Sequence, residues 1–594
     1  MAEITSDDNA FESTSQSAGL PTYRYLPLRH EDGIRLLQLL PGAGKDLIRC
    51  VIVHTRLPDC DHCVRGQLPH DYPARCQHRN RKPPCYEALS YTWGNASETQ
   101  DIIVRKGSSE HVLSVTLNCL AALRRLRLFM YGDSRFVWID AICIDQRNNT
   151  EKSIQISRMP LIYAGASQVV VDLGGESEDS DLAMDTIATY GCFHSSLPTA
   201  SKKALSLLLQ RSWFHRVWVL QEIAWARQAV VQCGTSYAPI KLVARVLGDS
   251  LLSKHLVLDK KNRNPKAALV ANTTLFYNSP EQLKSAWSEE ALYDLLVRTT
   301  HHCASDPRDK IFALYGLLSG APLTEYGHSV SQVLVNNART LLGSAHCTEW
   351  LGMNMLCAAG GTSSVPGLPS WVPDWTVPLS QVPFNVLFPR RGSVYDDENY
   401  LMFPTVTASD QRAIQELYDG AGIYQTFQLG LEYPEVLRCK ARFVSEVVWI
   451  SPVSAEDNDN EIVRDMLTSP SLCHPFIFSG LHRGIQERKA AFEWRNPATT
   501  MRADRCKLAL AGRHFFRTGS GHLCLASKYT QKGDCVFVIA GADFPFTLRK
   551  HGNLNIGVCP TAKEVYTLVG ACYVGDITQI DGVKDRPWEE IDTV

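Results

Sequence analysis

The sequence predicts an α/β module built on a doubly wound parallel sheet, followed by a mostly helical region and then a β-rich domain. Three observations lead there. Residues 136–144 are almost continuously apolar, the pattern of a central strand covered on both faces. That run alternates with helical patterns and with a second buried strand at residues 169–173, closed by Gly174 and Gly175. Such alternation favours parallel βαβ units. From about residue 437 the periodicity changes to strands, at 439–450, 523–525, 535–539 and 566–574.

The elements follow in order. Residues 1–20 are polar, acidic and Ser-rich, and read as a disordered leader without a secretory signal. Residues 23–40 end at Pro41 and Gly42 and read as an entry strand pair, and residues 47–57 as a strand. Residues 58–84, rich in Pro, Arg, Cys and His, read as an inserted loop. A strand over 87–93 stops at Gly94, and residues 102–104 and 112–115 form a hairpin around Gly107. Residues 117–128 should be helical, with Leu120, Leu123 and Leu128 inward and Arg124, Arg125 and Arg127 in solvent. Asn148 and Glu151 have capping-box spacing for a helix reaching about Ala164, with Pro160 kinking it. Ser212 should cap a helix running to about Arg227. Asp306, Pro307 and Asp309 signal a further helix start in the middle region. The expected division is an α/β domain over 21–235 with its core at 86–234, a helical region over 236–390, and a β-rich domain over 391–594.

The 594 residues are too many for one hydrophobic core. A net charge of −2 supplies no global field that would draw the chain to nucleic acid or an acidic membrane. No stretch approaches the ~20 consecutive apolar residues that span a bilayer. Many of the 19 cysteines sit singly in apolar runs, as Cys50, Cys143 and Cys572 do, which is how reduced, buried thiols look. The expected compartment is the cytoplasm, with the nucleus as the alternative.

Two short motifs fail on inspection. Gly42 to Lys45 resembles the end of a phosphate loop, but the leading glycine is missing and Asp46 stands where magnesium needs a hydroxyl. Gly327 to Ser331 begins like a nucleophile elbow but lacks the closing glycine. The inserted loop carries Cys60, Cys63, Cys76 and His78. Four soft ligands can close a structural, tetrahedral zinc site in a loop with no core of its own, and the alternative is incidental cysteines.

In a doubly wound sheet, ligands bind beyond the carboxyl ends of the strands. Three such ends carry Tyr91, Trp93 and Gly94; Asp145 and Gln146; and Asp172, Gly174 and Gly175. Aromatic surface, acid, amide and glycine together predict a small-molecule pocket. On the helix after Ser212, Trp218, Gln221, Glu222 and Trp225 fall on one face of an otherwise apolar segment. A carboxylate there either meets an arginine and is structural, or has a raised pKa and faces a ligand.

These residues resemble a known family. Tyr86-Glu87-Ala88-Leu89-Ser90-Tyr91-Thr92-Trp93-Gly94, then Trp138-Ile139-Asp140-Ala141-Ile142-Cys143-Ile144-Asp145-Gln146, then Arg216-Val217-Trp218-Val219-Leu220-Gln221-Glu222 match the three motifs of the fungal HET (heterokaryon incompatibility) domain in order and spacing. Residues 306–318 and 371–375 resemble downstream segments of such proteins. The insert at 58–84 and Asp172 depart from the pattern. The resemblance implies a TIR-like, flavodoxin-like sheet and a part in nonself recognition, where the domain triggers growth arrest and cell death. By the remoter likeness to TIR domains, it implies NAD or a related nucleotide as substrate, with Glu222 catalytic and Tyr91, Trp93, Gly94, Asp145, Gln146, Trp218 and Gln221 around the ligand. The alternatives are a non-enzymatic, self-associating or partner-recruiting switch, and a family member recruited to a biosynthetic pathway.

Overall fold

The computed structural model describes residues 19–30, 32–43, 46–57, 85–128, 135–177, 179–189, 197–248, 285–286, 288–322, 324–343, 352–381, 383, 427–429, 436–455, 510–542, 544–551, 564–574, 583 and 585–594. The leader up to residue 18, the insert, and with it Cys60, Cys63, Cys76 and His78, lie outside the described residues. Two compact units emerge. The first comprises Met1–Ser288 and His301–Gly327, the second Glu289–Thr300 and His328–Val594.

The first unit is organised by one mixed sheet of nine strands: β1 (Gly33–Leu39), β2 (Arg49–Arg56), β3 (Glu87–Tyr91), β4 (Thr99–Lys106), β5 (Ser109–Thr116), β6 (Arg135–Trp138), β7 (Val169–Asp172), β8 (Ala229–Cys233) and β9 (Ser236–Pro239). Their spatial order is β5-β4-β2-β1-β6-β3-β7-β8-β9. The interior strands β6, β3, β7 and β8 are mutually parallel. Val169, Val170 and Val171 are all buried, as expected of a strand covered on both faces.

The sheet is not wholly parallel, as the sequence had suggested. β1 runs antiparallel to both β2 and β6, and β9 is antiparallel to β8. The links at 40–48 and 234–235 are too short for a helical crossover, so these neighbours must reverse direction. The hairpin β4–β5 turns at Gly107, whose φ is +63°. Residues 23–40 hold one strand rather than two, preceded by an extended lead-in that bridges Thr22 to Val112. The apolar run at 136–144 stops being a strand at Trp138. Residues Asp140–Cys143 form a single helical turn, α2, so the strand end falls several residues earlier than the hydrophobicity implied.

Helix α1 (Leu117–Leu128) buries Leu120 and Leu123, as expected. Its arginines are not simply solvated. Arg125 forms a two-point pair with Asp172, at 2.7 and 2.6 Å, and Arg127 is buried on the carbonyls of Ala43, Asp46 and Leu47. Helix α3 (Asn149–Gly165) is capped by the Asn148 side chain, which accepts the Glu151 amide at 3.1 Å. The reciprocal half of the capping box is absent. Glu151 instead accepts from the Asp145 amide at 2.8 Å and from the fully buried Arg35. Helices α4 (Ser180–Thr189), α5 (Thr199–Leu208), α6 (Val219–Ala224) and α7 (Ile240–Gly248) follow. The returning segment of this unit adds α9 (Asp309–Tyr315) and the short strand β11 (Leu318–Ser319), parallel to β10 (Ser285–Ala286).

The second unit contains α8 (Glu289–Arg298), α10 (Val330–Gly343) and an eight-stranded sheet. Its strands are β12 (Phe427–Leu429), β13 (Leu437–Ser454), β14 (Arg513–Thr518), β15 (Leu523–Ser527), β16 (Cys535–Ile539), β17 (Pro545–Lys550), β18 (Val565–Val574) and β19 (Glu589–Thr593). The long β13 pairs with β14 through its C-terminal half and with β16 through its N-terminal half. The antiparallel path β13-β14-β15-β18-β17-β16 therefore closes on itself. Val444, Val447, Phe516, Cys524, Val536, Val538 and Cys572 pack into one apolar cluster of this sheet.

Candidate functional site

A cluster of polar side chains forms where β3 and β6 end. Ser90, near the C-terminal end of β3, is buried and donates its hydroxyl proton to the Glu222 carboxylate in a short hydrogen bond. The same Ser90 oxygen accepts the Trp213 indole N–H at 2.7 Å. One residue later, the Tyr91 carbonyl accepts from Arg216 Nη1 at 2.6 Å. Arg216 Nη2 lies 3.6 Å from Glu222. Just past the strand, the Trp93 indole donates to Asp140 at 2.9 Å. Asp140 opens the helical turn that follows β6, and its own carboxylate takes the Ala141 amide at 2.7 Å.

The polypeptide between residues 212 and 225 shapes this cluster. It is not one helix, as the sequence suggested. Ser212–His215 is a 3-10 turn, Arg216 is extended, and α6 begins only at Val219. The break has a partner: Arg216 and Cys303 form a parallel β-bridge, with the Val217 amide on the Cys303 carbonyl at 3.0 Å. The extended residue turns its guanidinium to Tyr91 and Glu222, which an uninterrupted helix would carry on a different face.

Burial dominates the electrostatics. The Glu222 side chain is 1% exposed and that of Arg216 17%. Desolvation pushes the Glu222 carboxyl up. Arg216 and the Ser90 hydrogen bond oppose the shift without cancelling it, and Asp140 adds to it. Asp140 is raised for the same reason, against Arg216 and the Trp93 bond. Burial works against the Arg216 charge, but Glu222 and Asp140 outweigh it and hold the guanidinium charged. One cation therefore faces two carboxyls, both of which favour the protonated form more than usual. Tyr163 on α3 closes the cluster electrostatically. Its hydroxyl is raised by burial and by Glu222 and Asp140, and it has no hydrogen-bond partner among the described residues.

Glu222, Tyr91 and Trp93 thus come together, joined by Gln146, whose amide donates to the Asp140 carbonyl at 2.9 Å. The other expected ligand residues do not. Trp218 turns away and donates its indole to Asp309 at 3.0 Å. Gln221 packs its amide against Gly316, where a Cβ would sit 1.2 Å from Nε2. Asp145 takes part through its backbone amide, bound to Glu151, and its carboxylate caps Arg147. Gly94 adopts a φ of +77° beside Asn118, a turn role. Asp172 is held by Arg125. At the β7 end, Arg211 spans the carbonyls of Leu173 and Gly175 and the Ser177 hydroxyl.

Ser90, Asp140, Tyr163 and Trp213 were not singled out from sequence. The available signal was a polar residue inside an apolar strand, which Ser90 and Asp140 both show within the motifs. Among the described residues, no group of three or more His, Cys, Asp or Glu is placed to hold a metal ion. No described helix is long and apolar enough to cross a membrane.

Residues 86–222 match the family described as Heterokaryon incompatibility protein (HET). A Neurospora crassa protein named Heterokaryon incompatibility protein 6, OR allele, is 27% identical over 370 residues, which cover 49% of this chain and 53% of that protein. The chain spans about half the length of this curated relative. No solved structure matches the chain. The match begins one residue before β3 and ends on Glu222, so it takes in the parallel strands β3, β6 and β7 and every residue of the charged cluster. Residues 86–222 are thus a HET domain, and the chain is distantly homologous to the Neurospora incompatibility protein.

Proposed function

We propose that this protein is an effector of heterokaryon incompatibility, which arrests growth or kills after nonself recognition, and that its effector activity resides in the first unit. The observation that carries this reading is the coincidence of the 86–222 family match with the cluster of Glu222, Ser90, Arg216 and Asp140. The name of the Neurospora relative supports the biological class. The expected setting is cytoplasmic, with an incompatibility partner protein or a second copy of the chain as the trigger.

In the catalytic form of this reading, the module hydrolyses NAD or a related nucleotide. Among themselves, β3, β6, β7 and β8 lie in the spatial order second, first, third, fourth, as in a TIR-like, flavodoxin-like sheet. The order reverses beside β3, whose C-terminal end carries Ser90 and Tyr91 with Trp93 just beyond it, and such reversal points are where open α/β sheets bind ligands. Glu222 would contact the ribose and stabilise the cation left as nicotinamide departs, and water would complete the hydrolysis. A raised carboxyl pKa beside a specific cation supports a functional role.

The near-complete enclosure of Glu222 by Ser90 and Arg216 favours a second reading, in which the cluster is a clasp inside a non-enzymatic, self-associating module. Two measurements separate the readings. Purified chain is incubated with NAD and nicotinamide release is followed, and the wild type and Glu222→Gln are expressed in a filamentous fungus. The catalytic reading expects release that Glu222→Gln abolishes, together with loss of growth arrest. Growth arrest without NAD consumption would leave the non-enzymatic module standing. A wild-type chain that causes no arrest in any host that supplies its trigger would overturn the effector assignment.

A further inference from the structure

The support of the cluster extends beyond the family-matched residues. Residues 301–327 lie about 80 positions further along, yet they belong to the first unit, and the residues on either side of them, 289–300 and 328 onward, belong to the second. This short stretch grips the 212–225 segment at four places. Its Cys303 pairs with the backbone at Arg216: the Cys303 amide donates to the His215 carbonyl at 2.5 Å, and the Cys303 carbonyl accepts the Val217 amide. Its Asp309 accepts the Trp218 indole at 3.0 Å and the Tyr326 hydroxyl at 2.6 Å. Its Gly316 carbonyl accepts the Trp225 indole at 2.7 Å. The same glycine admits the Gln221 amide to a distance that no residue with a Cβ would allow.

Two further contacts tie the stretch to α3: the Thr324 hydroxyl to the Ser153 carbonyl, and Lys152 over the Tyr326 ring, 4.2 Å from its centroid. Asp309 is partly buried and carries no arginine or lysine pair among the described ion pairs, so its indole and phenol donors are what satisfy it.

We propose that residues 301–327 are a strap whose Asp309 and Gly316 position the Trp213–Trp225 segment, and through it set where Arg216 and Glu222 meet β3. Asp309 and Gly316 are positioning residues, since neither touches Ser90, Tyr91 or Glu222 in the contacts described above. A piece of the chain covering only residues 86–234 would lack the strap and present the cluster out of register. The inference does not depend on whether Glu222 is catalytic, because its test reads geometry.

The test uses full-length protein labelled with 5-fluorotryptophan and followed by 19F NMR. The Trp213 and Trp218 resonances are assigned by single Trp→Phe variants, and Trp371 and Trp375 report on the second unit. In Asp309→Leu the Trp218 resonance must move. The proposal expects the Trp213 resonance, whose indole sits on Ser90, to move by more than its linewidth as well, while Trp371 and Trp375 stay in place. Asp309→Asn keeps an acceptor for the Trp218 indole and should leave Trp213 unmoved. If Asp309→Leu disturbs Trp371 and Trp375 too, Trp218→Phe decides, because it removes the indole donor while leaving the strap's own residues unchanged. An unmoved Trp213 resonance in the deciding variant would overturn the strap, as would an equal shift in Asp309→Asn and Asp309→Leu.

Discussion

Arg216 serves two acceptors at once, donating to the Tyr91 carbonyl at 2.6 Å and facing Glu222 at 3.6 Å. The closer bond goes to a backbone carbonyl at the end of β3, so the guanidinium is anchored by the sheet rather than by the carboxylate. Glu222 is left with a distant cation, a serine hydroxyl and little water. That explains why desolvation prevails and its carboxyl is raised rather than lowered.

A pH dependence follows, and its sign is fixed by that direction. A carboxyl raised in the folded state contributes stability that is fully present below the ordinary glutamate range. That contribution is lost as pH rises through the folded value. Wild-type stability should therefore decline across that window, and Glu222→Gln, which mimics the protonated form, should show a flatter profile there. Thermal unfolding of both proteins between about pH 4 and 8 checks this, and parallel profiles would show that Glu222 is not the titrating group.

Ser90→Ala should destabilise the first unit by about 1–3 kcal/mol, since it strips a donor from Glu222 and an acceptor from the Trp213 indole in a buried site. Urea unfolding monitored by tryptophan fluorescence should show a lower midpoint with an unchanged slope. A neutral result would mean that water replaces the hydroxyl and that the cluster is wetter than its burial implies.

Glu151→Gln tests a second ion pair of the first unit. Arg35 is fully buried, and removing its carboxylate partner should cost about 3–5 kcal/mol, because a charge is left without compensation. Burial pushes the Glu151 carboxyl up, but the Arg35 bonds and the Asp145 amide outweigh it and hold it below the ordinary value. This contribution is present above the ordinary glutamate range and fades as pH falls through the lowered folded value, the opposite sense to Glu222. Comparing wild type with Glu151→Gln by denaturation at neutral and acid pH should show the difference narrowing on acidification.

Gly94→Ala should cost more than Gly107→Ala. Both glycines have positive φ, worth about 1–2 kcal/mol to any residue with a Cβ. At Gly107 a Cβ meets nothing within 4 Å, whereas at Gly94 it lands 2.7 Å from Asn118 Nδ2, which donates to the Thr92 carbonyl at 3.0 Å. The gap between the two unfolding free energies isolates the steric part, and equal losses would remove the Asn118 contact from the account.

By itself, the sequence determined what depends on nearest neighbours along the chain. The valines of β7, the Asn148 cap of α3, the turn at Gly107 and the strands of the second unit all follow from local periodicity and capping chemistry, and all are present. The three motifs also marked the HET resemblance, which the family match over residues 86–222 bears out. What the tertiary structure decided depends on partners far away in sequence. The apolar run after residue 136 looks like a long strand, yet the chain turns at Asp140 to meet Trp93. The segment after Ser212 looks like one helix, yet it breaks at Arg216 because Cys303 supplies a backbone partner that local propensity does not contain. Trp218 and Glu222 have the spacing of one helical face, but Trp218 goes to Asp309 and Glu222 to Ser90. Periodicity tells which groups leave water. The choice of a buried polar group's partner is made only when distant segments meet, because burying it unpaired costs more than bending the chain to satisfy it.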